Sequence, residues 1–214
     1  MSDKKAISIF GTIPEGTIFN PTPPYNLRND CQIGQWKRGE DKLIGSSLDI
    51  SILKACKFYG NIGETYKTHW LQLWFVAAPD ETKIPRNTVC CTYLKSRSLE
   101  SFSGELIELM TSQIDPGTVI FKAGFEKHSG KLGNYYSVSW EVREREGEAE
   151  KKQLEQIVEF IGTNPTFTDT TKPKALICVD GMSQDEIEGL DAVIDAIEAG
   201  EAPNTNGAKQ LTSA

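Results

Sequence analysis

Trp70, Gln72 and Trp74 lie at alternate positions of one extended run, and alternate residues of a strand point to the same face. Two indoles therefore share a face with an amide between them. An outward indole is a platform on which a nucleobase can stack, and cations beside it can hold phosphates. Such residues stand close by: Lys57, Tyr59, Tyr66 and Lys67 precede or open this run, and Lys95 and Arg97 end the next one. Lys122 falls on the polar face of a later strand, and Lys127, Lys131 and Tyr135 surround a Gly-rich turn. Trp36, Lys37 and Arg38 make a further aromatic and basic triplet. The competing reading for each tryptophan is burial, because large aromatics are highly buried on average. Trp140 is in phase with Val138 and Val142 and is assigned to the core.

Other chemistries find little support. His69 and His128 are the only histidines, and Cys31, Cys56, Cys90, Cys91 and Cys178 form no Cys-x-x-Cys pair and no Cys/His spacing typical of zinc. Neither a metal nor another cofactor is expected, and the thiols are read as reduced and mostly buried. Asp49, Glu64, Asp80 and Glu81 make no metal-site motif, and there is no Gly-rich phosphate loop or Ser/His/Asp order. The chain is expected not to be an enzyme.

The whole chain of 214 residues carries a net charge of −7, which argues against a protein that coats polyanions. The charge is uneven, however. Residues 1–140 hold 16 Lys/Arg and 14 Asp/Glu, a balance of +2, whereas residues 141–214 hold 7 and 16, a balance of −9. Such asymmetry marks an acidic appendage on a differently charged body. The apolar run Ala6–Phe10 is too short for a signal peptide, and nothing approaches the roughly 18 apolar residues of a membrane helix. A cytoplasmic protein without membrane contact is expected.

The elements that would position these residues follow from periodicity. Residues 1–42, with Pro14, Pro21, Pro23 and Pro24, read as an extended arm. From Leu43, apolar residues alternate through Leu48, Ile50 and Ile52 to Tyr59, with a bulge expected where Lys54 falls into the buried phase. His69–Ala77 and Asn87–Lys95 read as two further strands, and Leu99, Phe102, Leu106 and Leu109 as one face of a short helix after the N-cap candidate Ser98. Val119–Glu126 and Tyr135–Arg143 read as strands joined by a loop over Lys127–Gly133. Residues 147–201 read as an acidic extension. It contains a helix with the apolar stripe Leu154, Ile157, Val158 and Ile161, a short strand, and a capping box at Ser183 and Glu186. Ile187, Leu190, Ile194 and Ile197 form one face of its last helix and are assigned to a protein partner or a second copy. Residues 202–214 read as a disordered tail.

Residues 43–146 thus read strand, strand, strand, helix, strand, strand. That order resembles the OB-fold, a mainly β architecture in which a five-stranded Greek-key barrel carries a helix between its third and fourth strands. Within that frame the chain resembles the OB-fold single-stranded DNA-binding proteins of phage and plasmid type. The resemblance implies sequence-tolerant binding of single-stranded nucleic acid, DNA ahead of RNA, in replication or recombination, with the aromatic and basic residues above as contacts. The chain departs from the bacterial members, because it ends Gln210–Ala214 without an acidic tip and adds an acidic α/β segment. The alternative is a non-enzymatic module that docks onto a replication or phage-type assembly. If the acidic segment competes for the basic groove, removing residues 147–214 should tighten binding, provided the rest folds.

Overall fold

The computed structural model describes residues 16–131, 133–164, 166, 167, 169 and 175–200. In chain order the described strands are β1 (Tyr25–Asn26), β2 (Arg28–Asp30), β3 (Gln35–Arg38), β4 (Lys42–Gly45), β5 (Leu48–Ile62), β6 (Thr65–Ala77) and β7 (Cys90–Lys95). The helix α1 (Ser96–Thr111) follows, then β8 (Ile120–Gly130), β9 (Gly133–Arg143), α2 (Glu148–Thr163), β10 (Leu176–Cys178), α3 (Gln184–Glu188) and α4 (Asp191–Glu198).

The centre is the antiparallel pair β5 and β6, in register from Ile50 opposite Ala77 to Ile62 opposite Thr65. Its register shifts between Ile52 and Lys54, where Lys54 broke the alternation. Alternation sends Leu48 and Ile50 into one core and Leu53 into another on the opposite face of the sheet, and past the shift Lys54 lies opposite Trp74 rather than in phase with Ile52. In the first core Leu73, Phe75, Phe121 and Trp140 pack beneath α1, whose Phe102 is fully buried. Phe102 meets Trp140 edge-on at 4.9 Å between ring centres. Edge-to-face pairs of this kind add about 0.5–1.5 kcal/mol beyond area burial. In the second core Trp74 and Val76 lie beneath Ile157 and Phe160 of α2. A buried polar lattice fixes that helix: Ser51 Oγ donates to Gln153 Oε1 at 2.9 Å, and Gln153 Nε2 donates to the carbonyl of Ala77 at 2.8 Å. Arg143 adds a two-pronged ion pair to Glu150, at 2.7 and 3.0 Å. The stripe expected on α2 therefore needs correcting, since Phe160 is buried and Val158 is exposed.

The closed five-stranded barrel is not formed. Strands run β1-β7-β6-β5-β8-β9 in one seven-stranded mixed sheet, with β10 as a third partner of β5, and β2-β3-β4 make a separate three-stranded sheet. The helix α1 separates the seventh and eighth strands of the chain, not the third and fourth. Closure would require β7 to meet β9, and residues 25–31 stand between them. Leu27 donates its N–H to the carbonyl of Cys91 at 2.9 Å, and Asn29 Nδ2 reaches the carbonyl of Tyr93 at 2.7 Å. On the far side Tyr136 N–H bonds the carbonyl of Cys31 at 2.7 Å. Edge groups that would have closed a barrel are satisfied by this crossing segment, as buried backbone groups must be. The stretch read as a free arm thus contributes, over its described part, three strands and the bridge itself.

The loop expected over Lys127–Gly133 is shorter than its composition suggested, and the connection between the first two long strands is equally short. β5 continues to Ile62 and β6 starts at Thr65, while β8 continues to Gly130 and β9 starts at Gly133. Tyr66, Lys67, Lys127 and His128 are consequently strand residues on hairpin arms. The last segment docks on β5 through β10, with Ile177 opposite Tyr59. Gly60 permits this approach: its φ is +141°, and a Cβ there would collide with the carbonyl oxygen of Ala175.

Candidate nucleic-acid interface

The unclosed side of the large sheet carries two adjoining cavities, of about 360 and 380 Å³. Arg28, Asn29 and Lys95 line both, so the two form one groove crossed by β2. At one end lie Ile62, Trp70 and Tyr93; at the other Arg97, Tyr135 and Tyr136.

Each functional group is held by its element. Trp70 is 6% exposed, donates its Nε1–H to the carbonyl of Gly60 at 3.1 Å, and lies under Lys95 Nζ, 5.3 Å from the ring centre. Lys95 is exposed and anchored by Thr65 Oγ1 at 2.6 Å. Arg97, in the first turn of α1, bonds His128 Nδ1 at 2.9 Å, and its guanidinium carbon is 5.9 Å from the ring centre of Tyr135. Tyr135 is 38% exposed and its ring lies 5.1 Å from His128 at 35°. Arg28 reaches Asp30 at 3.1 Å but keeps 60% of its side chain in solvent.

Asp30 is the negative group in the groove wall. Burial pushes its carboxyl upward, but hydrogen bonds from Lys37, from the backbone N–H of Gln32 and from Arg28 outweigh this and hold it at about 2. It organises the cations around it.

Several residues expected to touch a ligand are placed elsewhere. Trp74 is 1% exposed beneath α2, and Trp36 is as deeply buried, with its Nε1–H on the carbonyl of Ala123 at 3.0 Å. Gln72 is buried and donates to the Tyr93 hydroxyl at 2.6 Å. Lys37 is bound to Asp30 at 2.7 Å, Arg38 stacks over Tyr25 at 4.2 Å, and Lys122 pairs with Glu141 at 2.9 Å. Tyr66 is 62% exposed on the first hairpin, and Lys127 and Lys131 are exposed on the second. None of these three lines the groove. No family model, curated protein or solved structure matches this chain.

The acidic segment meets the first hairpin directly. Lys67 Nζ reaches Asp195 at 3.0 Å and Asp191 at 3.8 Å. Tyr59 donates its hydroxyl to Asp191 at 2.7 Å, and burial together with that carboxylate pushes the phenol up to about 12. The backbone N–H of Lys57 bonds Asp180 at 2.9 Å, leaving the Lys57 side chain exposed. Ile187, Leu190 and Ile194, assigned to a partner, are buried, and Ile197 is half-buried. Ile187 and Leu190 pack with Val179 against Tyr59 and Ile177, so that stripe is internal core.

Arg28 and Asn29, which line the groove, and His128, which bonds Arg97 beside it, were not singled out because they belong to stretches read as an arm and a loop. Strand parity continued past Glu126 would have put His128 on the arm facing Tyr135, which it opposes in register. Nothing in the sequence signalled that residues 25–31 cross the sheet. Among the described residues no group of three or more His, Cys, Asp or Glu could hold a metal, and no helix is long and apolar enough to cross a membrane.

Proposed function

We propose that this chain binds single-stranded nucleic acid along the groove between β7 and β9. The observation that carries the proposal is the convergence of Arg28, Lys95 and Arg97 on two adjoining cavities, with the part-exposed ring of Tyr135 at one end. A single strand offers the two things such a groove accepts: phosphates for the cations, and unstacked bases for the rings. A duplex keeps its bases stacked inside and would meet only the cations.

The charge around the groove supports the same reading. Three cations line it against the single carboxylate of Asp30, whereas most of the chain's acidity lies after residue 140. With about three phosphates neutralised, the log-log salt slope for a single strand is about −2, so a tenfold rise in salt costs about a hundredfold in affinity.

Fluorescence anisotropy with labelled oligo-dT, oligo-U and a duplex of equal length, each at two salt concentrations, tests this. Binding of the single strands with that slope, and weaker binding of the duplex, is the expected result. Equal affinity for all three, or no binding at low salt, contradicts it.

A further inference from the structure

At the β9 end of the groove, His128 is hydrogen-bonded on one side to Arg97 and on the other to Ser137, and the ring of Tyr135 lies against both Arg97 and His128. Arg97 is the donor in its 2.9 Å contact with His128 Nδ1, because a guanidinium has donors only. Nδ1 must then carry a lone pair, and the ring proton sits on Nε2. That nitrogen lies 2.8 Å from Ser137 Oγ and can donate to it. In this arrangement Nδ1 is occupied by Arg97 and Nε2 by Ser137. The groups facing it from neighbouring elements are Arg97 from α1, Tyr135 and Ser137 from β9, and Glu126 on its own strand, whose carboxylate lies 3.8 Å from Nε2.

From this geometry we propose that Arg97 and His128 form a phosphate seat that takes up a proton when it is filled. The inference rests on the nucleic-acid reading above and names the ligand at this end as a phosphodiester. A phosphate draws the guanidinium away from Nδ1, because a charged acceptor outcompetes an imidazole lone pair. The vacated Nδ1 then binds a proton from solvent and becomes a second donor toward the same anion. Nε2–H keeps Ser137 throughout, and Glu126 stands beside the imidazolium. No bond other than N–H forms or breaks. His128 is thus both a positioning residue for Arg97 and a conditional cation.

The test is oligo-dT binding followed by anisotropy from pH 5.5 to 8 at constant ionic strength. It is paired with calorimetry near pH 6.5 in two buffers of different ionisation enthalpy, which reads proton uptake on the wild-type chain. Affinity should rise about three- to tenfold toward low pH, with fractional proton uptake on binding. His128→Gln, whose side-chain oxygen can still accept from Arg97, should bind with a flat pH profile, and His69→Gln should keep the wild-type profile. Binding by the wild-type chain without proton uptake, or a slope that persists in His128→Gln, overturns the proton link and leaves the nucleic-acid reading standing. Absence of binding at every pH overturns both.

Discussion

Tyr135 is the groove residue best placed to stack, since its ring is part-exposed and steadied by His128 and Arg97. Tyr135→Ala should weaken oligo-dT binding by about 1–3 kcal/mol, the range for one base on one ring. Tyr135→Phe should bind as the wild type does, and anisotropy distinguishes the two. Trp74→Ala should act on the fold instead, lowering stability by about 3–5 kcal/mol in a urea melt, because its ring fills the second core. The two tryptophans on one strand face were legible from parity alone. Their different fates were not, because a period-two pattern says which residues share a face and nothing about the helix that covers half of it. Asp30 adds a pH signature. Its carboxyl is held at about 2 against an ordinary 3.8, so the stability it contributes is complete above the ordinary value and is lost as pH falls through the folded one. Urea midpoints should therefore drop between about pH 4 and pH 2, and Asp30→Asn should show a smaller drop across that window.

At the scale of elements, long periodic runs announced themselves and crossings did not. The core strands and the body of α1 followed from alternation and from the three-and-four spacing of Leu99, Phe102, Leu106 and Leu109, whereas the expected cap did not, since the helix starts at Ser96 and Ser98 lies inside it, accepting the N–H of Val138. The hairpins were misread because Gly and Lys composition resembles a loop, although two-residue turns suffice once the strands extend to Ile62 and Gly130. The last segment was misassigned for a related reason. An amphipathic stripe signals something to bury, and here the cover is β5 of the same chain. Gly60→Ala should break that docking, since a Cβ meets the carbonyl of Ala175. Hydrogen exchange should then quicken at the amides of Asn61 and Val179, which bond Ala175 and Lys57 across the junction, with little change in β8 and β9. Removing residues 147–214 is expected to unfold the second core, because it strips α2 from Trp74 and Val76. A truncation that binds more tightly with an unchanged melting transition would contradict this.

For the whole molecule, net charge misleads and the path of the chain decides. The value of −7 argued against a polyanion ligand, yet the acidity is concentrated after residue 140, and part of it is spent on Lys67 and Tyr59. The order of elements suggested a closed barrel. The segment at residues 25–31 prevents closure by taking the edges of β7 and β9, and the opening it leaves is the groove. Lys95 and Arg97, expected from the sequence, are joined at that opening by Arg28 from a distant part of the chain, which is why no local motif revealed Arg28. The decisive measurement is the salt dependence of oligo-dT affinity for the wild-type chain and for Arg28→Ala/Lys95→Ala/Arg97→Ala, with Lys122→Ala as the control cation outside the groove. A log-log slope of about −2 is expected for the wild type and the control, collapsing toward zero with loss of affinity in the triple variant. An unchanged slope and affinity in the triple variant would place the binding surface elsewhere and contradict binding along this groove.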